Sequence, residues 1–301
     1  MKIAVAGASG MIGRPLLEAL RADGHEVLQL VRRTPRRADE HRWDPQHRRI
    51  DDTLLSDVDA VINLAGVGVG DHRWTDAHKR AILTSRVDST ATISQALADA
   101  AVAEPSRPRV LLNASAVGFY GDTGDRLVDE RAAAGTDYLA RVCVEWEAAT
   151  EPAVAAGVRV TTLRTGLVMG RGGLLSRLLP IFRLGLGGRL GSGRQYMPWI
   201  SQADEVAAIQ FLLFNNVPGP VNLTAPTPVT NAEFTAALGR VLHRPALLFV
   251  PAPALRIVLG EFADVGALAG QRAVPTKLEK AGYRFVHTDL DAALRAAIAR
   301  R

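Results

Sequence analysis

The chain has 301 residues, 48% of them hydrophobic and 22% charged, with a formal net charge of +5; this is ample for a large core and excludes disordered and fibrous classes. A single cysteine, Cys143, excludes an intramolecular disulfide and a cysteine-built metal site, and the seven histidines show no ligand spacing, so no metal is expected. Positive charge is almost all arginine and scattered, with one dense cluster from Arg32 to Arg37, so no nucleic-acid partner is expected.

Residues 1–33 read as one nucleotide-binding unit. Ile3 to Ala6 is a short buried strand that runs into Gly7-Ala8-Ser9-Gly10-Met11-Ile12-Gly13, and an amphipathic helix is predicted from about Met11 to Ala22. Gly7 suits a tight turn, Gly10 lets a diphosphate approach the backbone, and Gly13 lets the helix lie close to the sheet. The free amides and positive dipole end at the helix start make an anion site. Placed between a strand and a helix, the glycine spacing is specific. His25 to Val31 is the second strand, and Arg32 and Arg33 stand where an NAD-specific protein offers an acid to the adenosine ribose. Asp39 and Glu40 come later and read as part of a different loop. Two guanidinium groups suit a 2′-phosphate, so NADP(H) is the expected cofactor.

Further along, Val58 to Gly66 is predicted as a buried strand ending in the turn Leu64-Ala65-Gly66, which brings backbone close to a cofactor at the carboxyl edge of the sheet. A long helix from about Thr75 to Ala101, a strand from Arg109 to Ala114, a helix from about Asp137 to Ala156 and a strand from Val158 to Leu163 follow. This alternation implies the α/β class: a Rossmann doubly wound parallel sheet with a smaller C-terminal substrate-side lobe. The dinucleotide-binding domain is placed at residues 1–170, with sheet-completing returns near 195–225, and the lobe at 171–301. Within the lobe, two glycine-dense segments at 170–173 and 185–193 flank a short apolar helix. Trp199 to Asp204 leads into a helix ending near Phe214, and about 245–294 offers short helices and turns. Arg194, Gln195 and Trp199 could line a substrate cleft or simply pack a loop. The apolar runs at 174–190 and 246–260 are interrupted too often to span a bilayer. The first residues read as a strand, not a cleavable signal. A cytoplasmic protein without a membrane partner is expected.

The motifs GASGMIG, DAVINLAG, Ser115-Ala-Val-Gly-Phe-Tyr120-Gly121 and Arg164-Thr-Gly-Leu-Val168-Met-Gly170 resemble the extended short-chain dehydrogenase/reductase superfamily. GLGGRLGSGRQ, PWIS, NLTAPTPVTNAEF and VPTKLEKAGYRF resemble its atypical branch of epimerase family proteins, which ends in a C-terminal domain of unknown function. The resemblance spans nearly the whole chain. It implies that Gly7, Ser9, Gly10, Met11, Ile12 and Gly13 form the phosphate turn and that Arg32 and Arg33 lie at the adenosine side. Leu64, Ala65 and Gly66 would cover the adenosine and ribose, Arg86 would stand where related epimerases place a cofactor-facing asparagine, and Val168 would flank the nicotinamide. It also implies a small-molecule substrate, of sugar type or otherwise hydroxylated, and superfamily members often pair through helices, so a homodimer is an option.

The catalytic positions depart from the superfamily pattern. A Tyr-x-x-x-Lys pair is usual there, the ammonium making the phenol a usable acid or base. Here Tyr138 is present but Val142 takes the lysine position, and Arg141 lies about 100° round the helix. The usual hydroxyl falls at Ala116, one residue after Ser115. Ser115, Tyr120 and Tyr138 remain the candidate catalytic residues. Two functions stay open: an NADP(H)-dependent oxidoreductase or epimerase-like enzyme with a degenerate triad, and a non-catalytic NADP(H)-binding sensor.

Overall fold

The computed structural model describes residues 1–299. Seven strands form one all-parallel sheet: β1 (Lys2–Ala6), β2 (Glu26–Val31), β3 (Glu40–Arg42), β4 (Ala60–Asn63), β5 (Val110–Ala116), β6 (Arg159–Thr165) and β7 (Gly219–Leu223). Their spatial order is β7-β6-β5-β4-β1-β2-β3. The central strands are buried on both faces, which explains their nearly unbroken runs of Ile, Val, Leu and Ala. Helix α1 (Gly13–Ala22) buries Leu16, Leu17 and Leu20 on one face. Helix α2 (Asp76–Ala103) packs Ile93 and Leu97 on the other. Strand order reverses between β1 and β4, the place where doubly wound sheets bind ligands.

Two elements differ from expectation. The helix predicted over 137–156 is two, α3 (Tyr138–Ala148) and α4 (Glu151–Ala155). Pro152 has no N–H to continue the first helix, so the chain turns at Ala149-Thr150. Glu40, read as loop, opens the edge strand β3, paired with β2 in the register Gln29↔Glu40.

After residue 170 come α5 (Gly173–Arg183), α6 (Gln202–Phe214), α7 (Asn231–Leu242), α8 (Ala252–Leu259), α9 (Thr276–Lys280) and α10 (Leu290–Ala299). α6 and β7 return to the main sheet, while α5, α7 and α10 enclose a second core around Leu175, Phe182, Trp199, Phe234 and Leu294. Asp204 ties the two together. Its fully buried carboxylate accepts from Ser201 Oγ at 2.6 Å, Val286 N at 2.7 Å, His287 N at 3.0 Å and Tyr283 OH at 3.2 Å. No helix among the described residues is long and apolar enough to cross a membrane.

Glu205 is also fully buried; one oxygen accepts from Thr165 Oγ1 at 2.9 Å, and the other has no partner among the described residues. Burial pushes its carboxyl up to about 8, against an ordinary 4.5, so it keeps its proton at neutral pH. Between those values the folded chain binds a proton that the unfolded chain has released, and stability falls as pH rises. Glu205→Gln is expected to flatten the decline of urea midpoints between about pH 5 and 8. An undiminished decline would assign the proton to another group.

Candidate functional site

The glycine turn sits at the strand-order reversal. Gly7 has φ +77°, and a Cβ there would lie 2.5 Å from the carbonyl oxygen of Leu64. A Cβ on Gly13 would lie 2.4 Å from the Gly7 oxygen, so β1, the turn and α1 can close up only with bare backbone. Ile12 is the N-cap of α1 and its side chain caps nothing. Gly10 N donates to the Gly7 carbonyl and Arg14 N to the Gly10 carbonyl, whereas the amides of Ser9, Met11, Ile12 and Gly13 have no acceptor among the described residues and remain available to an anion. Ser9 and Gly10 are exposed at the lip of this turn. From the distant half of the chain, Gln202 Nε2 donates to the Met11 carbonyl at 2.8 Å, and Gly172 and Gly173 pack beside the Met11 side chain. The cradle fits a dinucleotide diphosphate: it offers free backbone amides and helix-end charge, and no side chain caps the helix start.

At the adenosine-side edge, Arg32 is exposed and makes no hydrogen bond among the described residues. Arg33 does not stand free. Its guanidinium forks onto Glu40 at 2.7 and 2.8 Å, and Glu40 also accepts from Arg36 N at 2.7 Å. The Arg33 bonds hold the Glu40 carboxyl down to about 2. The premise that no acid stands here is thus corrected: pairing of β3 with β2 brings Glu40 back to the end of the second strand. Asp39 turns elsewhere, to Arg21 and to Gln29 Nε2.

Leu64 to Gly66 runs directly against the glycine turn, with Leu64 N donating to Ala6 O at 3.0 Å. Arg86 lies beneath this loop. Its Nη1 donates to the carbonyls of Val67 at 2.9 Å and Ile82 at 3.0 Å, and its guanidinium sits 4.9 Å over the Trp146 ring. A Cβ on Gly66 would meet it at 3.3 Å. It is not a solvated surface arginine: burial lowers its pKa. Val168 is buried in the short strand Leu167–Met169, which pairs with Trp199–Ser201 through Ile200↔Val168.

The three candidate hydroxyls are not brought together. Ser115 Oγ donates to Glu147 Oε1 at 2.7 Å, and Arg164 grips the same carboxylate through Nε and Nη2, both at 2.8 Å. Tyr120 OH, 2% exposed, donates to Asn222 Oδ1 at 2.7 Å and accepts from Arg164 Nη1 at 3.0 Å. Burial raises the Tyr120 phenol. Both side chains belong to one interior polar network joining β5, β6, β7 and α3. Tyr138 is different: it is partly buried at the first position of α3, and its hydroxyl donates to the carbonyl of Lys79.

Around Tyr138 the loop before α2, the start of α2 and the C-terminal segment converge. Trp74 meets the Tyr138 ring edge-on at 5.1 Å and Phe262 at 5.5 Å. Lys79 Nζ lies 4.7 Å from the Tyr138 ring centre and pairs with Glu261 at 2.8 Å. Lys79 and Glu261 carry no local sequence signal, because the pair is made across 182 residues. Of the cleft-lining options, Trp199 is buried with its indole N–H on Thr227 O, and Gln195 braces the Leu190 and Ala267 carbonyls. Trp199 and Gln195 therefore brace loops, while Arg194 is exposed and pairs with Asp125 at 3.5 Å. Cys143 is buried, and burial pushes its thiol up to about 12. Among the described residues no group of three or more His, Cys, Asp or Glu could hold a metal ion.

Comparison with known proteins agrees with this geometry. The NAD dependent epimerase/dehydratase family matches residues 3–223, and a domain of unknown function (DUF1731) matches residues 250–297. The chain is 52% identical over 300 residues to epimerase family protein MT2273 of Mycobacterium tuberculosis, covering 99% of this chain and 98% of that one. It is 36% identical over 305 residues to epimerase family protein SDR39U1 of Mus musculus, covering 99% of this chain and all of that one. The crystal structure of human epimerase family protein SDR39U1 (isoform2) with NADPH superposes over the whole of both chains with a TM-score of 0.87 at 30% identity. With its sheet order, its glycine turn and these matches, the chain belongs to the NAD dependent epimerase/dehydratase family, in the extended short-chain dehydrogenase/reductase branch that carries this C-terminal domain.

Proposed function

We propose that the chain is an NADP(H)-dependent oxidoreductase or epimerase-like enzyme acting on a hydroxyl or carbonyl carbon of a small molecule, the resemblance suggesting a sugar-type one. The observation that carries this reading is the uncapped glycine turn from Gly7 to Gly13 at the strand-order reversal, with the free guanidinium of Arg32 at the neighbouring strand end. The NADPH bound by the related human protein supports the choice of cofactor. When bound, the nicotinamide supplies hydride exchange with the substrate carbon. The amides of Ser9, Met11, Ile12 and Gly13 hold the diphosphate, Arg32 takes the 2′-phosphate, and Leu64, Ala65, Gly66 and Val168 wall the cofactor.

Of the three candidate hydroxyls, Tyr138 is the one outside the interior network, and we assign it the proton. Val142 leaves no lysine on its helix face. Arg86, buried beneath the neighbouring loop, supplies a cation instead, and its charge acts on the Tyr138 phenol. Burial raises the Tyr138 phenol, and the Arg86 charge offsets part of that rise. The net shift is upward, so Tyr138 keeps its proton at neutral pH and its role is that of donor to a substrate oxygen as it is reduced, not of base.

The test is loss of nicotinamide absorbance from NADPH with a panel of aldehydes, ketones and keto-sugars. Tyr138→Phe is expected to lower turnover by about 100-fold or more while leaving NADPH affinity unchanged. Undiminished turnover would remove Tyr138 from the mechanism. The sensor reading draws on the engagement of Ser115 and Tyr120 in the interior network. It expects tight NADPH binding and no turnover with any carbonyl by the natural chain.

A further inference from the structure

We propose that the outer face of the C-terminal lobe docks on a bilayer bearing anionic headgroups. Six large hydrophobic side chains stand exposed there: Ile181, Leu184, Leu186, Leu247, Leu248 and Phe249, with Leu184 at 75% and Leu247 at 89% exposure. They come from two adjoining segments. Leu248 N donates to Gly187 O, Leu248–Val250 runs parallel to Gly188–Leu190, and Arg244 Nε donates to the Arg183 carbonyl. The end of α5 and the loop after it therefore lie beside residues 244–250, and the apolar chains form one patch. Contiguous patches of this kind mark an interaction surface, whereas single exposed apolar residues do not.

The two segments that form the patch, 181–190 and 244–250, carry Arg183, Arg189 and Arg244 and no acid. Residues 171–260 hold eight arginines and three acids, so this stretch carries as much formal charge as the whole chain, +5. Two of the acids, Asp204 and Glu205, are fully buried, and Glu233 is engaged by Thr230 at the start of α7. Arg177, Arg194, Arg240 and Arg256 pair with Asp71, Asp125, Asp291 and Asp264 from outside the stretch. Arg183, Arg189 and Arg244, at the patch itself, are exposed and pair with no carboxylate among the described residues. Arg189 lies 5.5 Å over the Phe249 ring, and Arg244 bonds only main-chain carbonyls.

Protruding Leu and Phe side chains ringed by unpaired guanidiniums match a membrane interface, where apolar groups enter the acyl boundary and cations meet headgroup phosphates. A second copy fits poorly. A two-fold contact would set this patch against itself and place Arg183, Arg189 and Arg244 against the same residues with no acid between them. A nucleic acid would use the arginines but leave Leu184 and Leu247 without partners. The expectation of no membrane partner rested on the lack of a span, which a surface contact does not need.

The experiment is flotation of the full chain with vesicles of phosphatidylcholine alone and of phosphatidylcholine with phosphatidylserine. Binding is expected to the anionic vesicles, to weaken with salt, and to disappear in the Leu247→Glu, Phe249→Glu pair. Changing Arg183, Arg189 or Arg244 to Gln should weaken it by about fivefold each. Thermal melting and NADPH affinity serve as controls, since these residues are remote in sequence from the glycine turn and belong to none of its contacts. Absence of flotation with either vesicle, or binding indifferent to the glutamates, would overturn the proposal. So would concentration-dependent dimerisation that the glutamates abolish, which would assign the face to a second copy.

Discussion

Replacing Glu147 by Leu is expected to cost about 3–5 kcal/mol of stability, because it strands the buried guanidinium of Arg164. Arg164 is 3% exposed and commits Nε and Nη2 to that carboxylate at 2.8 Å. Burial pushes the Arg164 pKa down, and the bonds to Glu147 outweigh it and hold the group above its ordinary value. Without Glu147, the hydrogen bonds left to Arg164 are those to Tyr120 OH at 3.0 Å and the Glu130 carbonyl at 3.5 Å, with the Phe119 ring centre 3.4 Å from its guanidinium but no counter-charge, and Ser115 Oγ loses its acceptor. Removing both charges, Glu147→Leu with Arg164→Met, should recover more than half of the loss. Urea unfolding decides it. A single substitution costing under about 1 kcal/mol would mean that the pair is solvated rather than buried.

Arg32→Ala is expected to weaken NADPH by about 10- to 100-fold and to leave NADH nearly unchanged, the worth of one charge-assisted phosphate contact. Arg33→Ala should do less, because the fork of Arg33 is already committed to Glu40. Glu40→Gln then becomes informative: it loosens Arg33 and should raise NADPH affinity relative to NADH. Equal losses for both dinucleotides in Arg32→Ala would show that this side chain grips something shared by the two cofactors and not the 2′-phosphate.

The doubly wound sheet was legible because it is written locally. β1, the glycine turn and α1 are contiguous, and hydrophobic runs mark each buried strand. β3 was not: Glu40-His41-Arg42 has no apolar signature, being an edge strand paired on one side only. That omission is what hid the Arg33–Glu40 fork. The split at Ala149-Thr150 was signalled by Pro152 and could have been read. The glycine turn was legible in full, but the groups that close on it were not, since Gln202 reaches Met11 across 191 positions. Likewise Ser115 and Tyr120 stand in motif positions, yet nothing adjacent in sequence reveals that Glu147, Arg164 and Asn222 occupy their hydroxyls.

Calorimetric titration of the folded, full chain with NADPH and, separately, with NADH probes the cofactor site most directly. Saturable NADPH binding at least about tenfold tighter than NADH is the expected result. Heat from neither nucleotide, or equal affinities for the two, would contradict a diphosphate cradled at Gly7 to Gly13 with Arg32 on the 2′-phosphate.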